Sequence, residues 1–194
     1  MHSKDKFNAE RTNAGAKRVG IGSADLLGSL DLKELLAGTL EIFAVESPGD
    51  LGPALLSSNP EKMQRFEALV GGDLSIDWLQ RIYQYYCAER RDKKQDYTPK
   101  SLARFMARLC GEADVMIDLC AGSGALTIQR WAENKETQFL LYEIDGKVIP
   151  FLIFNLALRN IVAEVHHADV LSGESFALYR VSRGDKYGRV EVAS

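Results

Sequence analysis

Hydrophobic residues between positions 24 and 92 recur at intervals of three to five, which is the spacing of amphipathic helices. Before position 24 the chain is polar and has no such period, so we interpret residues 1–23 as a mobile arm. We predict that residues 24–92 form a helical N-terminal region. Its helices are predicted at Leu32–Val45 with Asp31 as N-cap, at Pro60–Val70 with Asn59 as N-cap, and from the residue after Asp73 or Ser75 to about Arg91.

The pattern changes near residue 93, where short apolar runs begin to alternate with helical stretches. This alternation is typical of an α/β unit with a parallel sheet. We therefore predict an α/β domain over residues 93–194 with a sheet of three to four strands. The strands are predicted at Val115–Leu119, Gln138–Ile144, Ala163–His167 and Val190–Val192, and the helices at Lys100–Cys110, Ala125–Glu133 and Gly146–Asn160.

Composition and charge narrow the range of functions. The chain has 194 residues and a formal net charge of −3, which excludes a globally basic nucleic-acid binder but allows a local basic patch. The three cysteines are odd in number and none are spaced as C-x-x-C, so a disulfide scaffold and a four-cysteine zinc site are disfavoured and a cytoplasmic location is favoured. The longest apolar run, Val148–Leu158, is shorter than the ~20 residues of a membrane span.

A glycine-containing turn between the first predicted strand and its helix is the clearest candidate for chemistry. It spans Asp118–Gly124 (DLCAGSG), and its two glycines allow a tight turn and a close approach of the backbone to a ligand. Glu143 and Asp169 stand at the ends of the next two predicted strands, at the sheet edge where open α/β folds bind ligands. The alternative interpretation is an ordinary strand–helix connection with solvated polar residues at the strand ends.

The absence of two phosphate-binding motifs narrows the class of ligand that this turn could bind. Thr127 stands where a dinucleotide fingerprint has its third glycine, and the Gly-Lys-Ser/Thr of a P-loop does not occur. Pyrophosphates and nucleoside triphosphates are therefore poor candidates. Three carboxylates suit a cationic nucleoside better, and S-adenosylmethionine is such a molecule.

Four short motifs follow one another along the second half of the chain. They are Gln95–Pro99 (QDYTP), Asp118–Gly124 (DLCAGSG), Tyr142–Asp145 (YEID) with Asn155–Ile161 (NLALRNI) after it, and Ala168–Leu171 (ADVL). In this order they resemble the N-6 adenine-specific DNA methylases, and in particular the modification subunits of type I restriction-modification systems. The resemblance covers about residues 93–171 and implies a partial Rossmann-like sheet of the S-adenosylmethionine-dependent methyltransferases, with DNA as a partner.

The resemblance also implies a role for each matching residue. Tyr97 and Thr98 would contact the methionine end of the cofactor, and Asp118 would accept its amino group. Ala121, Gly122 and Gly124 would line the turn beneath it. Glu143 would hold the ribose hydroxyls with Ile144 against the adenine, and Asp169 would bind the adenine amino group with Val170 alongside.

The family's catalytic motif, Asn/Asp-Pro-Pro-Tyr/Phe, does not occur in these 194 residues, which contain no Pro-Pro pair. The chain is therefore either a fragment of a methylase or a complete small protein without catalysis, and in both cases we expect it to be inactive alone. The alternative function is a non-catalytic cofactor- or DNA-associated partner protein with the same fold. Because the resemblance implies that the first and fourth strands pair, we expect Val190–Val192 to form an open edge that self-associates or binds a partner subunit.

Overall fold

The computed structural model describes residues 30–87 and 98–193. Within these residues the helical part comes first and the sheet second, which confirms the predicted α/β class. A short 3₁₀ turn at Pro48–Asp50 and a π-helical turn at Tyr83–Cys87 accompany the regular elements. The helices are α1 Leu32–Phe43, α2 Leu51–Leu56, α3 Pro60–Leu69, α4 Trp78–Ile82, α5 Lys100–Leu109, α6 Ala125–Glu133 and α7 Ile149–Leu158; the strands are β1 Val115–Asp118, β2 Gln138–Glu143, β3 Ala163–Asp169, β4 Glu174–Ser182 and β5 Arg189–Ala193.

Side-chain caps fix the starts of three helices. Asp31 accepts a hydrogen bond from the backbone N–H of Lys33, and Asn59 accepts one from that of Lys62, so both predicted N-caps are confirmed. The third helix begins later than predicted: Asp77, and neither Asp73 nor Ser75, caps α4. The predicted arm 1–23 and the end of that helix lie outside the described residues. None of the helices in the described part is long and apolar enough to cross a membrane.

The sheet has five strands in the order β1-β2-β3-β4-β5, where three or four were predicted. Strands β1, β2 and β3 are parallel, whereas β4 and β5 form an antiparallel hairpin on the far side of β3. The predicted fourth strand, Val190–Val192, lies within β5 and does not pair with β1, so the expected pairing is wrong. Among the described strands β5 pairs only with β4, which confirms that Val190–Val192 lies in an edge strand. Strand β4 was missed because its positions do not alternate between buried and exposed, so the period of two is absent.

Only one face of the sheet is covered by helices among the described residues. All ten residues of α7 are buried, which agrees with a helix that is apolar on every side. On the opposite face, and along the free edge of β1, Val115 is 55% exposed and Ile117 61% exposed. Strand β1 pairs only with β2, so its other backbone edge is open within the described chain.

The helical part and the sheet share one hydrophobic core. At its centre the ring of Phe154 in α7 packs edge-on against Phe43 of α1 and Phe66 of α3, with ring centroids 5.3 and 5.4 Å away. Residues 30–87 are thus packed directly onto α7, which covers the sheet. A division of the chain at residue 93 stays a prediction from the sequence pattern.

Candidate active site at the carboxyl ends of the parallel strands

The turn after β1 is held by backbone hydrogen bonds on both sides. The N–H of Ala121 donates to the carbonyl of Tyr142 at the end of β2 (2.9 Å), and the N–H of Gly124 donates to the carbonyl of Ala121 (2.9 Å). Gly124 has a φ of 98°, and a Cβ there would lie 3.0 Å from Cδ1 of Leu152. A residue without a side chain is therefore required at the start of α6.

This turn forms the floor of a cleft of about 190 Å³. Five of the ten predicted site residues line it: Thr98, Asp118, Ala121, Gly122 and Glu143. The other lining residues, which the sequence did not single out, are Cys120, Ser123, Ala125, Leu126 and Val148. Membership of the DLCAGSG turn was the available signal for Cys120 and Ser123.

Asp118 carries an unsatisfied acceptor in this cleft. Its Oδ1 accepts a hydrogen bond from the N–H of Cys120 (3.0 Å), but Oδ2 is buried and has no partner among the described residues. Burial raises the pKa of the Asp118 carboxyl, and the hydrogen bond from Cys120 opposes this only in part. A buried carboxylate oxygen without a donor fits a cationic amine, which supplies both charge and N–H groups.

Glu143 is buried and connects the turn to the end of β2. Its Oε2 accepts from the N–H of Gly122 (2.8 Å), and its Oε1 accepts from the N–H of Asp145 (2.8 Å). Each carboxylate oxygen has two lone pairs, so one acceptor position on each remains for ligand hydroxyls. The predicted contact with ribose is therefore compatible with a second role, which is to hold the turn in place.

Asp169 ends β3, as predicted, but is not among the residues that line the cleft. Its Oδ1 accepts from the N–H of Leu171 (2.9 Å) and closes the short turn into β4, which lowers the pKa of its carboxyl. Ile144 is 57% exposed and Val170 39% exposed, and neither lines the cleft. Contacts of these three residues with an adenine ring stay predictions, and Tyr97 lies outside the described residues.

A buried polar network holds the turn on the side of the helical part, and it was not predicted from the sequence. Ser123 donates its hydroxyl proton to Asp77 at 2.7 Å, across 46 positions of sequence, and Asn155 contacts both residues. No local pattern marks these residues, because the partners come from three distant segments. The DLCAGSG turn that contains Ser123 and the NLALRNI motif that contains Asn155 were the available signals.

Comparison with known proteins decides the family. A family model described as N-6 DNA Methylase matches residues 74–186, which is more than half of the chain. The chain belongs to the N-6 DNA methylase family. The predicted recognition is thereby confirmed, as is the predicted fold, a helical region followed by part of a methyltransferase sheet.

One solved structure similar to this N-6 DNA methylase chain is the methyltransferase subunit of the type I restriction-modification system from Streptococcus thermophilus. The two share 22% sequence identity, with a TM-score of 0.39 over 74% of this chain and 37% of that one. This chain therefore spans little more than a third of the length of that subunit. No match was found among curated proteins.

Proposed function

We propose that this chain is the S-adenosylmethionine-binding module of a DNA adenine-N6 methyltransferase. The observation that carries the proposal is the buried Oδ2 of Asp118, which has no hydrogen-bond partner among the described residues, in a cleft whose floor is a glycine turn. When bound, S-adenosylmethionine supplies a methyl group activated by its sulfonium. Asp118 would accept the cofactor's amino group, the turn at Ala121–Gly124 would lie beneath it, and Glu143 would accept its ribose hydroxyls.

The chemistry of the cleft supports this ligand over a phosphate-bearing one. Two carboxylates, Asp118 and Glu143, line it, and among the lining residues that the structure describes there is no lysine or arginine. A negative lining repels phosphates and attracts a cation. Tyr97 and Thr98 next to the methionine end, and Ile144, Asp169 and Val170 next to the adenine, complete the proposed set.

Titration calorimetry with S-adenosylhomocysteine and S-adenosylmethionine tests this proposal. We expect one ligand per chain. Glu164→Gln is a suitable control, because Glu164 lies on β3 outside the cleft, where it pairs with Arg180 at 3.0 Å. That variant should bind like the parent.

We further propose that the chain alone does not transfer the methyl group. The 194 residues contain no Pro-Pro pair, and the family's motif for the target adenine requires one. Incubation with tritiated S-adenosylmethionine and adenine-containing duplex DNA should leave the DNA unlabelled. Label recovered as N6-methyladenine would contradict this part of the proposal. A second candidate function is that of a non-catalytic cofactor- or DNA-associated partner protein with the same fold.

DNA is proposed as a partner from the family membership, and the described basic residues add little support. Arg108 contacts Glu133 at 3.1 Å, Arg183 contacts Glu136 at 2.8 Å, and Lys186 contacts Glu67 at 2.8 Å. A cation already paired with a carboxylate gains less from a phosphate. A phosphate that contacts Arg108, Arg183 or Lys186 would have to displace these acids.

We also propose that a second polypeptide, either another copy or a partner subunit, pairs with the open edge of β1. An edge strand presents unpaired N–H and C=O groups, and proteins cover such edges. The apolar side chains there support the proposal, since Val115, Ile117 and Leu119 are each more than half exposed.

We propose a cytoplasmic location for the chain. The absence of a disulfide at Cys87, Cys110 and Cys120 is compatible with that location.

A further inference from the structure

Four polar residues are buried together between the helical part and the cofactor turn. Asp77 precedes α4, Ser123 lies in the turn, and Asn155 and Arg159 belong to α7 and its C-terminal end. Each is less than 10% exposed: 8% for Asp77, 1% for Ser123, 2% for Asn155 and 4% for Arg159. Buried polar groups persist only where their hydrogen bonds are satisfied, and here they satisfy one another.

Asp77 is the acceptor on which the network converges. Its Oδ2 accepts from the hydroxyl of Ser123 (2.7 Å), and its Oδ1 accepts from the side-chain amide of Asn155 (2.9 Å) and from the N–H of Gln80 (2.9 Å). One carboxylate thus caps α4 and accepts hydrogen bonds from both the turn and α7. A hydrogen bond to a charged group is stronger than one between neutral groups.

Asn155 links Asp77 and Ser123 to Arg159 by hydrogen bonds. Its amide nitrogen also donates to the carbonyl of Ser123 (2.9 Å), while its Oδ1 accepts from Nη1 of Arg159 (2.9 Å). The two sides of the amide therefore face a carboxylate and a guanidinium, which fixes its orientation. Nε and Nη2 of Arg159 donate to the carbonyls of Leu74 and Ile76 (2.8 Å each), so the segment before α4 is held as well.

The consequence for the turn is that two polar groups of Ser123, its hydroxyl and its carbonyl, are held by buried residues. The hydroxyl is bound by Asp77 and the carbonyl by Asn155, while the neighbouring N–H of Gly122 is bound by Glu143. The conformation of the cleft floor thus depends on a residue of the helical part, 46 positions earlier in the sequence. Without Asp77, the Ser123 hydroxyl would lose its acceptor.

We infer that Asp77 is a positioning residue for the cofactor turn, acting through Ser123 and Asn155, and that the helical part is therefore an integral component of the cofactor site. This inference rests on the proposed function of the cleft. It extends that function because it places the geometry of the turn under the control of residues 74–80. A displacement of α4 would change affinity for the cofactor without any contact between α4 and the ligand.

Ser123→Ala and Asp77→Asn test the inference. Ser123→Ala removes only the hydroxyl, and Asp77→Asn keeps the volume and one acceptor oxygen. Each should weaken S-adenosylhomocysteine binding about tenfold, the effect of one misplaced or lost hydrogen bond. Asp77→Ala, which removes both acceptors, should weaken binding more than Asp77→Asn does.

Tyr187→Phe is the matched control. The hydroxyl of Tyr187 donates to Glu67 at 2.6 Å and so also joins the helical part to the sheet region, but away from the turn. This variant should lower the thermal unfolding midpoint and leave ligand affinity unchanged. Loss of affinity in Tyr187→Phe equal to that in Ser123→Ala would show a general stability effect and overturn the inference.

Amide hydrogen exchange in the ligand-free protein separates this inference from the proposed function. The amide N–H of Gly122 donates to Glu143 at the end of β2, and that of Gly124 donates to the carbonyl of Ala121 within the turn. They should exchange about tenfold faster in Ser123→Ala and Asp77→Asn, and at the parental rate in Tyr187→Phe. If the parent binds no ligand but these amides respond, the proposed function fails and the positioning role stands. Unchanged amides in both variants would overturn the positioning role.

Discussion

The backbone N–H of Gly122 donates to Oε2 of Glu143 at 2.8 Å, across 21 positions of sequence. This contact fastens the turn after β1 to the end of β2, and it uses the carboxylate that the family resemblance assigns to the ribose. The same side chain therefore shapes the cleft and lines it. A substitution of Glu143 should affect both the turn and the ligand.

Glu143→Ala should weaken S-adenosylhomocysteine binding by about 1.5–3 kcal/mol, because a charge-assisted acceptor is lost. It should also destabilise the ligand-free protein, since the N–H groups of Gly122 and Asp145 lose their acceptor. Calorimetry measures the first effect and urea denaturation the second. Parental affinity in this variant would remove Glu143 from the proposed site.

Asp118→Asn should raise stability and lower affinity. Burial raises the pKa of this carboxyl, so the native state binds the proton more tightly than the unfolded chain does. The free energy of unfolding contributed by Asp118 therefore falls as pH rises from about 3.9 through the raised native pKa, and the charged form is unfavourable at neutral pH.

An asparagine removes that charge while its Oδ1 can still accept from Cys120. We expect a higher thermal midpoint at pH 7 than in the parent, a smaller difference at pH 4, and weaker binding of S-adenosylhomocysteine. A lower thermal unfolding midpoint at pH 7 would contradict the interpretation that the Asp118 carboxylate is unfavourable until a cationic ligand binds.

Much of this arrangement could be predicted from the sequence because it depends on neighbours in the chain. The caps at Asp31 and Asn59 and the carboxylates that end β1, β2 and β3 are all local signals, and the structure has them at the predicted positions. Strand β4 lacks an alternating pattern, and its pairing with β3 depends on tertiary packing.

The network around Asp77 could not be predicted for a different reason. Its hydrogen bonds join residues 46 and 78 positions apart, and nothing in the sequence near Asp77 distinguishes it from an ordinary helix cap. The apolar residues of α5 show the opposite case, in which the local pattern is clear but the packing cannot be predicted from it. Their helical spacing predicts one apolar face, yet Phe105 is 57% exposed and Leu109 63% exposed, because periodicity does not tell what a face packs against.

Gly124→Ala should destabilise the protein by about 1–3 kcal/mol, since a side chain at positive φ is strained and its Cβ would lie 3.0 Å from Leu152. Gly71→Ala is the matched control. Gly71 also has a positive φ, of 66°, but nothing lies within 4 Å of its Cβ position. The cost measured by urea denaturation should be larger at Gly124. Equal costs would mean that the contact with Leu152 does not constrain the turn.

Purified chain should self-associate through the open edge of β1 when no partner is present. Light scattering should give a mass above 21.5 kDa at high concentration that falls on dilution. Ile117→Lys should abolish this by placing a charge beside the edge, whereas Val192→Lys, in the other edge strand β5, should have little effect. A constant mass of 21.5 kDa across the dilution series would contradict the assembly proposal.

The most direct measurement of the central claim is a calorimetric titration of the parent and Asp118→Ala with S-adenosylhomocysteine and S-adenosylmethionine at pH 7. We expect a single site in the parent for both ligands. Binding should be weaker by about 1.5–3 kcal/mol in the variant, with the larger loss for S-adenosylmethionine, whose sulfonium carries an additional positive charge. No heat of binding in the parent, or equal affinity in parent and Asp118→Ala, would contradict the assignment of this cleft to the cofactor.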